Sequence, residues 1–302
     1  MHRRQFIRSA GVVTSALLAG GCAQTLGAAT NASQANRFQQ TLRQIEAASG
    51  GRLGAAMLDT QTGASYAYRG TERFPMCSTF KFLAAAQVLS RVDKGQEQLD
   101  RRILVRASDI IEHSPATKPR VGGVPMTLAE LCEATITLSD NAAANLMLKE
   151  MGGPLGLTAY MRSLGDDITR LDRFEPELNE STPGDPRDTT TPEAMLQSMQ
   201  RIVLGTALTA SSRAQITRWL QDNKTGDRKL RALLPAGWRV GDKTGGGNHG
   251  SNNDIGIFWP PGRAPILVTA YLTQTKAELP VRDRAIAEVG QLVAAMVTSS
   301  SS

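Results

Sequence analysis

The chain has 302 residues, 41% of them apolar, enough to bury a core of useful size in one large or two small domains. The formal charge is +6, and subtracting Arg3, Arg4 and Arg8, which lie in a segment expected to be removed, leaves +3. No basic run is interleaved with aromatics, which argues against nucleic-acid binding, and no His/Cys/carboxylate cluster has metal-ligand spacing, so neither a zinc mechanism nor any cofactor is expected.

Residues 1–22 read as an export signal. His2-Arg3-Arg4-Gln5-Phe6-Ile7-Arg8 precedes an apolar run from Ala10 to Leu18 that is too short to span a bilayer permanently. Paired arginines at this place fit a twin-arginine signal, which carries folded proteins; an ordinary secretory signal with two chance arginines is the other reading. Leu18-Ala19-Gly20-Gly21-Cys22 looks like a lipoprotein cleavage box, although Ala19 stands where a larger aliphatic residue is usual. A lipid anchor at Cys22 and a freely soluble form therefore both stay open. The expected address is the periplasm, with the export machinery as a partner and a monomer as the mature form.

Residues 23–35 are small and polar and read as a flexible leader. Phe38, Leu42, Ile45 and Ala48 recur at helical spacing until Gly50-Gly51. Arg52 to Asp59 alternates as a strand, and a turn at Thr62-Gly63 leads to a partner strand from Ser65 to Arg69. Helices are predicted from Thr79 to Arg91, Thr127 to Ala134 (with a Thr127/Glu130 capping box), Asn141 to Met151, Leu155 to Leu164, Glu193 to Leu204 and Ala210 to Asn223. Three strands follow, Arg239 to Lys243, Asp254 to Trp259 and Ile266 to Thr273, and then a last helix from Val281 to Val297. Strands at both ends and helices between them predict a discontinuous α/β domain, 36–72 with 225–298, and a helical domain, 73–224. The fold class is an α/β sandwich in which an antiparallel sheet is flanked by the terminal helices. A site is expected at the domain junction.

Within this frame three short motifs follow one another. Ser78-Thr79-Phe80-Lys81 places a hydroxyl and an amine at i and i+3, on one helical face, so that Lys81 can reach Ser78. A lysine of lowered pKa can take the serine proton, and a helix N-terminus beneath Ser78 would favour a developing oxyanion. Alone, the spacing is common, and a helix N-cap is the better reading of Ser78. Ser139-Asp140-Asn141 and Lys243-Thr244-Gly245 follow, and between them lies Glu175-Pro176-Glu177-Leu178-Asn179. The ordered set S-x-x-K, S-D-N, K-T-G is shared by class A β-lactamases and penicillin-binding proteins. With Phe74-Pro75-Met76-Cys77, the stretch Gly184 to Pro192 and Asn253-Asp254-Ile255, the chain resembles a class A serine β-lactamase from about Phe38 to Val297. The likeness is nearest to the chromosomal enzymes of Gram-negative environmental bacteria.

The resemblance implies hydrolysis of the β-lactam ring of penicillins and cephalosporins through an acyl-enzyme, and hence antibiotic resistance. It makes Ser78 the nucleophile, with either Lys81 or Glu175 as the base that activates it, and Ser139 the proton donor to the ring nitrogen. Glu175 with Asn179 would direct water onto the ester. Asn141 would meet the acylamino side chain, Lys243, Thr244 and Gly245 the carboxylate, and the N–H groups of Ser78 and Gly246 the oxyanion. His113 lies where an aromatic usually forms the rim. Arg173 and Asp188 are expected to close the loop around Glu175, whose bond to Pro176 is expected to be cis, and Asp242 to anchor the last motif. Either Arg228 or Lys229 stands where some relatives carry a second carboxylate-binding cation, and Asp283 where cephalosporin preference is tuned. In relatives with a disulfide, the partner of Cys77 falls where Gly247 stands here. Cys77 and Cys132 are therefore expected buried and reduced, and carbapenem hydrolysis is not expected. The Glu175/Asn179 pair argues against two rival readings, a D-alanyl-D-alanine carboxypeptidase and a β-lactam sensor that stays acylated.

Overall fold

The computed structural model describes residues 21–299. Of the expected export signal, 1–22, residues 1–20 lie outside the described residues, and Cys22 stands at the start of the first helix. Helix α1 (Gly21–Ser49) leads to β1 (Arg52–Asp59), β2 (Ser65–Tyr68) and a short β3 (Phe74–Pro75). A 3₁₀ turn over Cys77–Thr79 opens α2 (Phe80–Asp93). Then come β4 (Arg102–Ile103), β5 (Met126–Thr127), α3 (Leu128–Thr137), α4 (Asn141–Glu150) and α5 (Gly153–Ser163). β6 (Thr189–Thr190), α6 (Pro192–Val203) and α7 (Ala210–Gln221) precede β7 (Arg239–Gly246), β8 (Asn252–Trp259), β9 (Ile266–Thr273) and α8 (Leu279–Ser299).

The main sheet is antiparallel throughout, in the order β2-β1-β9-β8-β7. It has the period of two that strands impose. On β1 and β9, Leu53, Ala55, Met57, Val268, Ala270 and Leu272 pack with Phe38, Leu42 and Ile45 of α1 and with Ile286, Val289 and Val293 of α8. Ala56, Leu267 and Tyr271 face the other way, into a core shared with α2 to α7. The terminal helices thus cover one face of the sheet and the helical middle covers the other, the architecture expected from the sequence.

Two expectations need correction. Residues 23–35 are not an irregular leader; they continue α1 toward the N-terminus. The stretch holds five alanines, which favour helix intrinsically, and the apolar spacing that flags a buried face starts only at Phe38. The last motif strand is also longer than predicted, running on from Lys243 to Gly246 because its backbone pairs with Asn252 to Ile255.

Candidate active site

The strand β7 is an edge strand, so alternate backbone groups face away from β8. That free edge lies against the 3₁₀ turn carrying Ser78. A Cβ added at Gly245 would stand 2.9 Å from Met76 O and 3.3 Å from Ser78 N, so only glycine allows the approach. Gly246 next to it is exposed, and a Cβ there would make only an ordinary contact, 3.9 Å from Ser251 O. Asp242, fully buried, ties β7 down through Arg231 and Asn223.

Ser78 does not cap the helix. Its Oγ donates to Glu175 Oε1 at 3.4 Å. The expected direct bond from Lys81 to Ser78 is absent among the described residues; both groups instead meet at Glu175. Lys81 Nζ donates to Ser139 O at 2.8 Å and to Asn141 Oδ1 at 2.5 Å, and it lies 3.0 Å from Glu175 Oε1. The loop brings a carboxylate between the two, and attraction to it draws the ammonium from the hydroxyl. Burial pushes the Lys81 amine below the ordinary lysine value, and the Glu175 charge opposes that shift.

Ser139 Oγ accepts from both motif lysines, from Lys81 at 3.3 Å and from Lys243 at 3.1 Å. Lys243 is fully buried and held well below the usual lysine value, first by desolvation and then by repulsion from Lys81 and Lys229. Asp140 fastens this segment. Its carboxylate caps α4 by accepting from Ala143 N at 2.8 Å and holds Ala116 and Thr117 of the facing loop. Asn141 Nδ2 donates to Glu112 O at 2.9 Å while its Oδ1 serves Lys81. Its second N–H is left for the pocket it lines.

Glu175 reaches the centre on a loop with a cis Glu175–Pro176 bond, as expected. Asn179 Nδ2 donates to Glu175 Oε2, and Asn179 Oδ1 is buried without a protein partner. The loop closes where expected: Asp188, buried, accepts from Arg173 Nε at 2.6 Å and from the N–H groups of Asp172 and Arg173 at 2.7 and 3.0 Å. Sequence reasoning missed the second tether. Asn145 Oδ1 accepts from Glu175 N at 2.9 Å and its Nδ2 donates to Glu175 O at 2.8 Å. The signal was there, since Asn145 stands one helical turn after Asn141 on the same face of α4.

The cavity between these elements has a volume of about 370 Å³ and includes Ser78, His113, Ser139, Asn141, Asn179, Thr244, Gly245 and Gly246 in its lining. His113 is at the rim, its Nε2 3.0 Å from Leu138 O. Cys77, His113 and Ser139 all have positive φ (45°, 57° and 57°), a strained backbone gathered around the pocket. Arg228 and Lys229 both line this pocket, and Lys229 is the buried one of the two. Its Nζ donates to Gly245 O and Asn253 O at 3.2 Å each, while Arg228 is exposed and 3.3 Å from Asp283. Cys77 and Cys132 are buried free thiols. A Cβ at Gly247 would sit 2.8 Å from Cys77 Sγ.

A serine, two buried lysines and a buried carboxylate at the junction of an antiparallel sheet and a helical layer define an enzyme of serine acyl transfer. The sequence pattern of the Beta-lactamase enzyme family matches residues 37–297. The β-lactamase CTX-M-8 of Citrobacter amalonaticus is 46% identical over 268 residues, 89% of this chain and 92% of its own length. A β-lactamase of Streptomyces albus G is 46% identical over 262 residues, 85% of this chain and 83% of its own. Among solved structures, an ancestral class A β-lactamase shares 61% identity with a TM-score of 0.84, over 85% of this chain and 98% of its own. The chain belongs to the class A β-lactamases: it is a serine β-lactamase, a hydrolase of the β-lactam ring whose activity confers antibiotic resistance.

Proposed function

We propose that penicillins and cephalosporins are the substrates and that the residues of this pocket divide the reaction as follows. The carboxylate of the substrate lies against Lys243 and Thr244, with Lys229 as the second cation. Its acylamino group meets the Asn141 amide, and His113 packs at the rim. The β-lactam oxygen points at the N–H groups of Ser78 and Gly246, where the free strand edge and the 3₁₀ turn face each other.

Ser78 Oγ attacks the ring carbonyl and gives its proton to Glu175, the acceptor it already touches. Lys81 is less suited to take that proton, because an amine that donates to Ser139, Asn141 and Glu175 together carries three protons and has no lone pair to accept a fourth. The ring nitrogen leaves as an amine with a proton from Ser139, whose oxygen is backed by Lys81 and Lys243. As Ser139 gives up its proton it regains one from Lys81, which in turn takes the proton Glu175 received, so that Glu175 is a carboxylate again. Glu175 then draws a proton from a water held with Asn179 Oδ1 as the water oxygen attacks the ester, and passes it to the departing Ser78 oxygen. The observation that carries this reading is one carboxylate, Glu175, 2% exposed, in contact with Ser78, Lys81 and Asn179 together. The acyl-enzyme that a carboxypeptidase or a sensor forms with a β-lactam persists, so neither needs a base that drives water onto that ester. Sustained turnover of a chromogenic cephalosporin, with no hydrolysis of a D-alanyl-D-alanine peptide, supports the reading; a burst that stops after one equivalent contradicts it.

The α/β part, 36–72 with 225–298, and the helical part, 73–224, supply opposite walls of this cleft. Arg173 and Asp188 hold the loop shut. The protein is exported as a monomer to the periplasm, where β-lactams meet their targets; the paired arginines support the twin-arginine route, and Cys22 the alternative of a lipid anchor. Among the described residues no helix is long and apolar enough to cross a membrane.

A further inference from the structure

A chain of hydrogen bonds runs from the pocket into the protein behind β7, and its protons can be assigned one by one. Arg231 grips Asp242 with two N–H groups, Nε to Oδ2 at 2.9 Å and Nη2 to Oδ1 at 2.6 Å. A carboxylate held in this way only accepts. The Asn223 group against Asp242 Oδ1 is therefore the amide nitrogen, which turns Asn223 Oδ1 toward Thr225. There it accepts from Thr225 N at 3.1 Å and from Thr225 Oγ1 at 2.8 Å. A hydroxyl has one proton, and that of Thr225 is spent on Asn223. The 2.5 Å contact between Thr225 Oγ1 and Thr244 Oγ1 must then be made with the Thr244 proton. Both threonines line the substrate pocket.

We propose that Thr225 is a positioning residue that draws the Thr244 hydroxyl proton away from the pocket, so that the free enzyme presents an oxygen lone pair, not a proton, to the incoming carboxylate. The inference rests on the reading of Lys243 and Thr244 as the carboxylate site. Binding an anion there requires the Thr244 proton to swing into the pocket. The Thr225 proton then turns from Asn223 to Thr244, and Asn223 Oδ1 keeps only the Thr225 N–H. No covalent bond changes; one hydrogen bond inside the protein is given up each time a carboxylate is taken in. Asp242 and Arg231 set the direction of the whole chain through the Asn223 amide. The arrangement makes affinity for the carboxylate weaker than the site could offer.

The test is kcat/KM, which does not contain deacylation, for a cephalosporin and for its methyl ester, in the wild type, Thr225→Val and Thr225→Ser. Valine keeps the shape and removes the competing acceptor. It is expected to raise kcat/KM for the acid about three- to ten-fold, the factor one net hydrogen bond represents, with the gain in KM rather than kcat and no gain for the ester. Thr225→Ser, which keeps the hydroxyl, stays at the wild-type value. A fall or no change with valine overturns the proposal, as does an equal gain for acid and ester or a serine variant that behaves like valine. If the wild type itself does not distinguish acid from ester, the carboxylate site is misplaced, and the proposal fails with it for that separate reason.

Discussion

Asp188→Asn tests whether the loop carrying Glu175 is held from its far end. Asp188 is buried and accepts three N–H bonds on its two oxygens, from Asp172 N, Arg173 N and Arg173 Nε. Asparagine has one acceptor oxygen, so its amide nitrogen must face either the two backbone N–H groups or the guanidinium. Removing one partner of a buried ion pair costs about 3–5 kcal/mol. Arg173 is partly exposed and keeps Glu180 as a partner, which puts the cost at the lower end, about 3 kcal/mol. If all of it opened the loop, the population with Glu175 in place would fall by about 150-fold, at 1.36 kcal/mol per decade. Asn145 and Lys81 still hold Glu175, so we expect deacylation to slow by about 10- to 100-fold, and acylation by less. Stopped-flow kinetics with a chromogenic cephalosporin separates the two rates, and intact-protein mass spectrometry shows which species accumulates. Unchanged turnover for every substrate, or a loss confined to acylation, would refute the tether.

Three further outcomes follow from the geometry. Asn145→Ala removes both backbone bonds to Glu175, about 2 kcal/mol in all, and should slow deacylation by about 30-fold with little change in substrate binding; equal loss in KM would show instead that α4 had moved. Gly245→Ala drives a methyl group to 2.9 Å from Met76 O and should lower the acylation rate at least tenfold, read in single-turnover experiments; a normal rate would mean the strand edge does not need its close approach. Lys243 loses its charge as pH rises through its lowered pKa, so the alkaline limb of kcat/KM should fall below the ordinary lysine value. Lys243→Arg, charged throughout, should move that limb upward, and a wild-type profile flat to pH 10 would contradict the assignment. The stability sign runs the other way: between the lowered folded pKa and the unfolded value the unfolded chain holds more protons, so this group favours folding more as pH rises through that window.

The architecture was legible because its signals are local. β1 begins and ends where the alternation does, and α3 starts at the capping box that Thr127 and Glu130 form. The site motifs were legible for the same reason, being contiguous runs whose order matches a known set. What stayed hidden depends on residues far apart in sequence. The two-residue pair β3–β6 joins Phe74 to Thr190, and no two-residue segment carries a readable period. The Ser78–Lys81 spacing correctly placed both on one side of a turn, yet it could not show a carboxylate from 94 positions beyond Lys81 coming between them. Asn145 and Thr225 look like ordinary helix and turn residues until their partners are seen. The leader escapes a sequence reading because residues 23–35 carry no large apolar residues at helical spacing, although their alanines favour helix.

The central claim is that Glu175 turns a serine that is acylated into one that is released. Glu175→Ala mixed with a cephalosporin and examined by intact-protein mass spectrometry tests it most directly. The account predicts a stable adduct of one acyl group per chain, mapped to Ser78, with steady-state turnover lost. A variant that keeps hydrolysing, or one whose adduct lies elsewhere, would contradict it.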